Sequence, residues 1–264
     1  MERLAVGLIQ LSVIRSDPGR NARAALEIAT TAARSGCDVL LMPELWNAAM
    51  PLTDHRSLIE ENSPILDTLG SLAGRYGIWI IAGSLAVKCA EGPRNRSYVF
   101  SPEGKRCFRY DKLHLYPGLN EPNMLGPGGS LGLFEVAGTT AGIMICFDVE
   151  FPETARALAN RGARIFFVPG AWKTEYIRLW RHLLVSRAVE NQVFIVGVNR
   201  CDRGGAVRFG GSSMVVDPFG DVALQLDDRP RFEKISLDMT RVEKARKEHR
   251  VVASLRPDIY RKWI

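Results

Sequence analysis

Apolar residues along this chain alternate between two spacings. Leu4 to Leu11 is a continuous apolar run of strand length. Asn21 to Arg34 instead puts Ala25, Ile28, Ala29 and Ala32 on one helical face, and Gly36 follows as a stop. Asp38 to Met42 predicts a second strand, ending at Pro43-Glu44. Pro64 to Tyr76 predicts a helix closed by Gly77, and Ile78 to Val87 a strand. Tyr98 to Phe100 and Cys107 to Tyr110 are expected strands, with turns at Gly92-Pro93 and Pro102-Glu103-Gly104. Lys112 to Gly132, rich in Gly, Pro and Asn and without periodicity, is expected to be a long loop, and long loops in compact domains are often functional. Order resumes with strands at Phe134 to Val136 and Ala141 to Cys146, a helix at Pro152 to Asn160 and a strand at Arg164 to Val168. A longer helix from about Glu175 to Glu190 precedes strands at Val193 to Val198, Ser213 to Val216, Val222 to Leu226 and Lys234 to Leu237. The charged helix Thr240 to His249 reads as a solvated face. This order predicts α/β layering in a single domain, with no linker and no internal repeat.

Composition narrows the picture. At 264 residues and 46% hydrophobic content the chain can bury a large core without staples. No apolar run approaches the roughly 20 residues that span a bilayer. Met1-Glu2-Arg3-Leu4 leads straight into a strand with no signal-peptide pattern, so a cytoplasmic protein without a membrane partner is expected. The net charge is +6, and only 8 of the 35 basic residues are Lys. The Arg residues are spread along the chain, and Glu243 and Glu248 interrupt the densest stretch, Arg241 to Arg250. A solvated surface, not a nucleic-acid partner, is expected. Five widely spaced cysteines, none in a Cys-x-x-Cys pair, argue for free thiols and against a zinc site. Neither a Gly-x-Gly-x-x-Gly nor a Gly-x-x-x-x-Gly-Lys motif is present, and the four histidines are scattered.

Three segments share one form, a strand ending in a polar reactive residue. They are Leu40-Leu41-Met42-Pro43-Glu44, Tyr110-Asp111-Lys112-Leu113-His114-Leu115 and Gly142-Ile143-Met144-Ile145-Cys146-Phe147-Asp148. Ligands bind outside the carboxyl ends of strands in open α/β sheets, so a Glu, a Lys and a Cys could converge on one pocket. The chemistry is coherent. A thiol needs a base, a buried Glu can take its proton, and an ammonium can stabilise both thiolate and oxyanion. The turn after Cys146 would add the backbone N–H of Phe147. Taken singly, each residue has a plainer reading, as core, helix cap or solvated charge.

These segments resemble the nitrilase superfamily of carbon–nitrogen hydrolases. The resemblance runs from about Leu4 to Tyr260. It rests on Pro43-Glu44, Lys112-Leu113-His114-Leu115 and Cys146-Phe147-Asp148 with Phe151-Pro152-Glu153. Supporting matches are Trp180-Arg181-His182-Leu183-Leu184, Arg187-Ala188-Val189-Glu190-Asn191 and Asp217-Pro218-Phe219-Gly220. It implies a four-layer αββα sandwich over residues 1–264 as one domain, with Glu44 as general base, Lys112 as oxyanion stabiliser and Cys146 as nucleophile. Glu121 would orient substrate or Lys112, and no metal or organic cofactor is implied.

Phe147-Asp148 resembles the Tyr/Phe-Asp pairs of the amidase and carbamoylase branches, where nitrilases tend to carry Trp. Met42 to Asn47 and Arg256 to Tyr260 are similar to ω-amidases and related short aliphatic amidases. The expected substrate is a small linear amide, ω-amides of dicarboxylates included. Trp46, Asn47 and Trp172 are candidate pocket walls, and an unidentified Arg would suit a distal carboxylate. An N-carbamoyl amino acid hydrolase, a nitrilase and a non-catalytic α/β binding or scaffold protein remain alternatives. The resemblance also implies a homodimer or higher homo-oligomer. Between Ile177 and Val189 the apolar residues exceed one face, and the tail ends in Tyr260, Trp263 and Ile264.

Overall fold

The computed structural model describes residues 2–14, 18–48, 50–53, 58–204, 207–260 and 262. Through its first half the chain runs β1 (Arg3–Gln10), α1 (Pro18–Ala33), β2 (Val39–Leu41), β3 (Ile59–Glu60), α2 (Pro64–Tyr76), β4 (Trp79–Ile81), β5 (Leu85–Cys89), β6 (Gly92–Phe100), β7 (Arg106–Asp111) and the short α3 (Glu121–Met124). It continues β8 (Gly132–Val136), β9 (Thr139–Ile143), α4 (Pro152–Asn160), β10 (Ile165–Gly170), α5 (Ile177–Asn191), β11 (Phe194–Asn199), β12 (Met214–Val216), β13 (Val222–Gln225), β14 (Arg231–Asp238), α6 (Thr240–His249) and α7 (Pro257–Tyr260).

The strands form two sheets. One has eight strands in the order β14-β1-β2-β4-β6-β5-β3, with β7 also paired to β6; the other has six in the order β13-β12-β11-β10-β9-β8. The period-2 alternation of side chains decides which face each residue takes. Leu4, Val6 and Leu8 of β1 and Val39 and Leu41 of β2 share one buried cluster with Ile143, Ile165, Phe167 and Val196 of the second sheet. Ile9, Leu40 and Ile80 belong to a separate cluster with Ala25 and Ala29 of α1 and Leu69 and Ala73 of α2. On the other side α4 and α5 pack against β9 and β11. The expected αββα sandwich is the observed fold. Among the described residues no helix is long and apolar enough to cross a membrane.

Helix ends follow local chemistry. α2 starts with Pro64 in its first turn and stops at Gly77, whose φ of 64° is left-handed and costs Gly little. α2, α4 and α6 match the expected limits, whereas Asn21 to Arg34 begins three residues earlier, at Pro18. The loop expected from Lys112 to Gly132 contains a 3₁₀ turn, Pro117–Leu119, and α3.

Two expectations are corrected. The turn expected at Gly92-Pro93 falls at Ala90-Glu91, and Gly92 and Pro93 already open β6, paired with Cys89 and Lys88. Ile78 to Val87 is not a single strand; it divides into β4 and β5 around Gly83, at φ 59°. A Cβ at Gly83 would overlap the Pro43 carbonyl oxygen and crowd that of Met42. The break lets Ser84 N–H reach Pro43 O at 3.1 Å and Ser84 Oγ accept from Leu45 N–H at 3.1 Å. The turn carrying Glu44 is thereby fastened to the neighbouring strand. Gly83→Ala should therefore destabilise the fold by on the order of 3 kcal/mol, the upper end for one substitution. Urea unfolding would measure it, and an unchanged midpoint would contradict this account of the turn.

Candidate active site

Three strand ends meet at one point between the sheets. Glu44 follows β2 in a tight turn, where its N–H donates to Gly170 O at the end of β10 (3.3 Å) and Leu45 takes φ 45°. Lys112 follows β7, its N–H donating to Asn95 O of β6 at 2.9 Å and its carbonyl accepting from Gly128 N–H at 2.8 Å. Cys146 lies just past β9 and opens a 3₁₀ turn, Cys146–Glu150, in front of α4. Its φ of 49° is left-handed, a region that costs a residue with a Cβ and is found at strained functional turns.

Side chains close the site. Lys112 Nζ donates to Glu44 Oε1 and to Glu121 Oε2, each at 2.7 Å. The three side chains are 1%, 1% and 0% exposed, so this is a fully buried ion cluster. Glu121, at the start of α3, also accepts from Tyr116 N–H at 2.6 Å through Oε2. Asn95 Nδ2 donates to Glu44 Oε1 at 2.8 Å and to Glu121 Oε1 at 2.9 Å. The Cys146 thiol hydrogen-bonds Glu44 and is approached by the backbone of Ala171.

Burial pushes the Glu44 carboxyl above its usual range; Lys112 opposes that and Glu121 adds to it. Burial and the Glu44 charge hold the Cys146 thiol well above the ordinary thiol range, with Lys112 pulling it back. Burial alone would lower the Lys112 ammonium, but Glu121, Glu44 and Cys146 around it raise it well above its usual range. Cys146 therefore rests as a thiol beside a carboxyl group and a fixed cation. One of the three ammonium protons stays uncommitted to either carboxylate and is able to meet a developing oxyanion.

The turn at Cys146 is tied down by Asp148. Its Oδ2 accepts from Tyr110 Oη at 2.8 Å and from Ile145 N–H at 2.9 Å. Its Oδ1 accepts from His114 N–H at 2.8 Å and lies 2.9 Å from His114 Nδ1, while the His114 ring stacks on Phe151 at 3.6 Å. One buried carboxylate thus locks the Lys112 segment to the Cys146 segment. The Glu44 turn is held by Arg200, whose Nη1 donates to Leu45 O and Ala48 O at 3.1 and 3.0 Å while Asp202 pairs with the same guanidinium.

A cavity of ≈ 240 Å³ opens onto Cys146, lined among others by Tyr116, Phe147, Glu150, Trp172, Lys173 and Tyr176. Of the three candidate pocket walls Trp172 lines it, and Phe147, whose backbone N–H was the expected oxyanion donor, lines it as well. The Trp172 backbone is clamped by Asn199, and its buried indole N–H has no hydrogen-bond partner among the described residues. Trp46 and Asn47 do not line this cavity. Trp46 is core, its indole N–H donating to Ala82 O at 2.7 Å, because the turn points it toward the α1–α2 layer. Asn47 brackets Ala86 of β5, accepting from Ala86 N–H at 3.0 Å and donating to Ala86 O at 3.3 Å. Asn95, Arg200, Tyr116 and Lys173 escaped the sequence reading. Asn95 lies inside β6, Tyr116 and Lys173 lie in connecting segments, and Arg200, although it follows the end of β11, belongs to none of the motifs that carried the chemistry.

Residues 5–247 match the carbon–nitrogen hydrolase family. The chain belongs to that family. It therefore has the enzyme class expected from the three strand-end motifs, an amide-hydrolysing member of the nitrilase superfamily. It is similar to omega-amidase NIT2 of Mus musculus, 30% identical over 98% of this chain and 96% of the relative. It is 28% identical to 2-oxoglutaramate amidase of Bacillus subtilis (strain 168), over 97% of this chain and 98% of that one. The fold superposes on a cysteine-to-alanine mutant of the amidase from Nesterenkonia sp. AN1 in complex with butyramide. The TM-score is 0.85 at 26% identity, covering 99% of this chain and 97% of the other.

Asp148→Ala would leave the buried Tyr110 hydroxyl without its acceptor and free the turn at Cys146. The expected loss is about 3 kcal/mol of stability. It should be seen in urea unfolding, together with altered alkylation of Cys146 by peptide mass. Wild-type values for both would contradict the locking role.

Proposed function

We propose that this enzyme hydrolyses small linear amides, ω-amides of dicarboxylates included, to a carboxylic acid and ammonia through a thioester on Cys146. Glu44 takes the thiol proton, and the sulfur attacks the amide carbonyl carbon. Lys112 and the backbone N–H of Phe147 hold the oxyanion. Collapse breaks the C–N bond while Glu44 hands its proton to the departing nitrogen, releasing ammonia. Glu44 then deprotonates water, which attacks the thioester. The second collapse frees the acid, and the proton returns to sulfur. Glu121 orients Lys112. No step calls for a metal or an organic cofactor. The observation that carries this reading is the buried contact of Glu44 with both the Cys146 thiol and the Lys112 ammonium.

Cavity size and lining support a short acyl group. Trp172 and Tyr176 give it apolar walls, and the free Trp172 indole N–H is a donor within its lining. Lys173 is the cation among the lining residues. Its Nζ lies 5.9 Å from the Tyr176 ring centre, and its nearest acid, Glu175, is 3.9 Å away and largely exposed. Lys173, not an Arg, is the group we assign to a distal carboxylate. Burial pushes the neighbouring Glu150 carboxyl up, and Arg187 opposes that. The names of the omega-amidase and 2-oxoglutaramate amidase relatives support the same class.

The test is ammonia release from ω-amides, neutral short amides, carbamoyl amino acids and nitriles. Amides should react fastest. Cys146→Ala should abolish turnover with the fold intact. Lys173→Met should raise KM for an ω-amide about tenfold, the weight of one ~1.4 kcal/mol contact, and leave a neutral amide unchanged. A panel led by nitriles or carbamoyl amino acids, or an active Cys146→Ala, would overturn the reading.

We also read residues 1–264 as one catalytic domain of a cytoplasmic enzyme, in keeping with five free cysteines. A homodimer through α5 and the tail is the assembly we favour. α5 turns Trp180, Leu184 and Ala188 inward yet leaves Leu179 and Val189 more than 40% exposed, and Tyr260 of α7 is exposed as well. Trp263 and Ile264 lie outside the described residues. Light scattering at micromolar concentration should give about twice the 29.3 kDa chain mass, and a clean monomer would defeat the dimer.

A further inference from the structure

Asn95 lies in β6, paired with Ala86 of β5, and no sequence motif marks it. Its backbone carbonyl holds Lys112 N–H, and its side-chain amide nitrogen donates to Glu44 Oε1 and Glu121 Oε1 at 2.8 and 2.9 Å. Lys112 Nζ donates to the same two residues. Glu44, Lys112, Glu121 and Asn95 thus form a closed ring in which each carboxylate meets both an ammonium and an amide. Both of these donors to Glu44 engage Oε1, so neither occupies Oε2. The amide's orientation is settled by its neighbours, because the flipped form would put its oxygen against two carboxylates. In the observed orientation Asn95 Oδ1 is buried with no partner among the described residues, so the side chain gives up one hydrogen bond to make the other two.

We infer that Asn95 is a positioning residue for the general base, holding Glu44 both in its rotamer and in its ionised form. This rests on the role proposed above for Glu44. The groups facing Glu44 are Lys112, Glu121 and Cys146. Two buried carboxylates against one ammonium leave one negative charge in excess, and among the described residues no further cation covers it. The Tyr116 N–H meets Glu121 alone, whereas the two N–H groups of Asn95 are the dipoles that reach Glu44 as well. Without them the least costly relief is for one carboxylate to take up a proton. A protonated Glu44 cannot accept the proton of Cys146. Asn47 belongs to the same device, since its bracket on Ala86 joins the Glu44 turn to the strand that pairs with Asn95.

The test uses Asn95→Leu, of similar volume, and Asn95→Asp, which keeps the shape. In wild type the acid limb of kcat/KM should lie above the ordinary Glu value of 4.5, because Glu44 must lose its proton to act and its pKa is raised. Asn95→Leu should lower kcat by on the order of 10²-fold with KM nearly unchanged, and move that limb up by about one pH unit. Asn95→Asp can donate one hydrogen bond only while its new carboxyl is protonated. Its activity relative to wild type should therefore be highest at acid pH and fall as pH rises. Iodoacetamide alkylation of Cys146, followed by peptide mass against pH, should show the same displacements. That readout needs no substrate, so it tests Asn95 even if every amide in the panel fails. Acid limbs identical to wild type in both variants, with any loss of rate tracking the melting temperature, would overturn the inference.

Discussion

An ammonium buried between two carboxylates is the constraint around which the site is built. Lys112, Glu44 and Glu121 are withdrawn from water together. Removing ions from water costs several kcal/mol each, and their attraction offsets that only when geometry is good and further hydrogen bonds surround the charges. The structure meets those conditions from four directions. Lys112 supplies two N–H groups, Asn95 two more, Tyr116 a backbone N–H, and Cys146 its thiol. The loop that carries Glu121 is consequently ordered into a 3₁₀ turn and α3, although its sequence has no periodicity.

Backbone strain falls at the same site, and left-handed φ values also occur away from it, at Ala137, Gln192, Ser212 and Arg250. Leu45 and Cys146 both take left-handed φ values next to or at the reactive residues, and Gly83 takes one where β4 breaks against Pro43. Each strained position at the site has a neighbour that holds it. Ser84 and Arg200 hold the Glu44 turn, and Asp148 holds the Cys146 turn. These holders are polar and buried, so their loss would leave orphaned groups in a low-dielectric interior. Rigidity at the reacting atoms is thus coupled to stability of the whole sandwich.

Much was legible in the chain itself. Period-2 and period-3.6 patterns, with Pro at helix starts and Gly at helix stops, suffice for α/β layering, because burial of one face per element is a local property of side-chain order; the four-layer αββα arrangement was implied only by the resemblance to the family. Glu44, Lys112 and Cys146 could be found because each stands at a strand end in a distinctive local motif. What the pattern could not decide is direction and partnership. Trp46 and Asn47 stand two and three residues after Glu44 and looked equally suited to a pocket wall. Only the turn at Leu45 and the break at Gly83 send one into the helix-facing core and the other onto Ala86. Asn95 carries no local signal at all. Its role exists because β5, β6 and β7 pair in a register that sets one amide between two carboxylates 51 and 26 positions away. The identity of the cation beside the cavity was decided the same way. Many arginines compete in the sequence, and the tertiary path of the segment after β10 is what turns Lys173 toward Cys146's cavity.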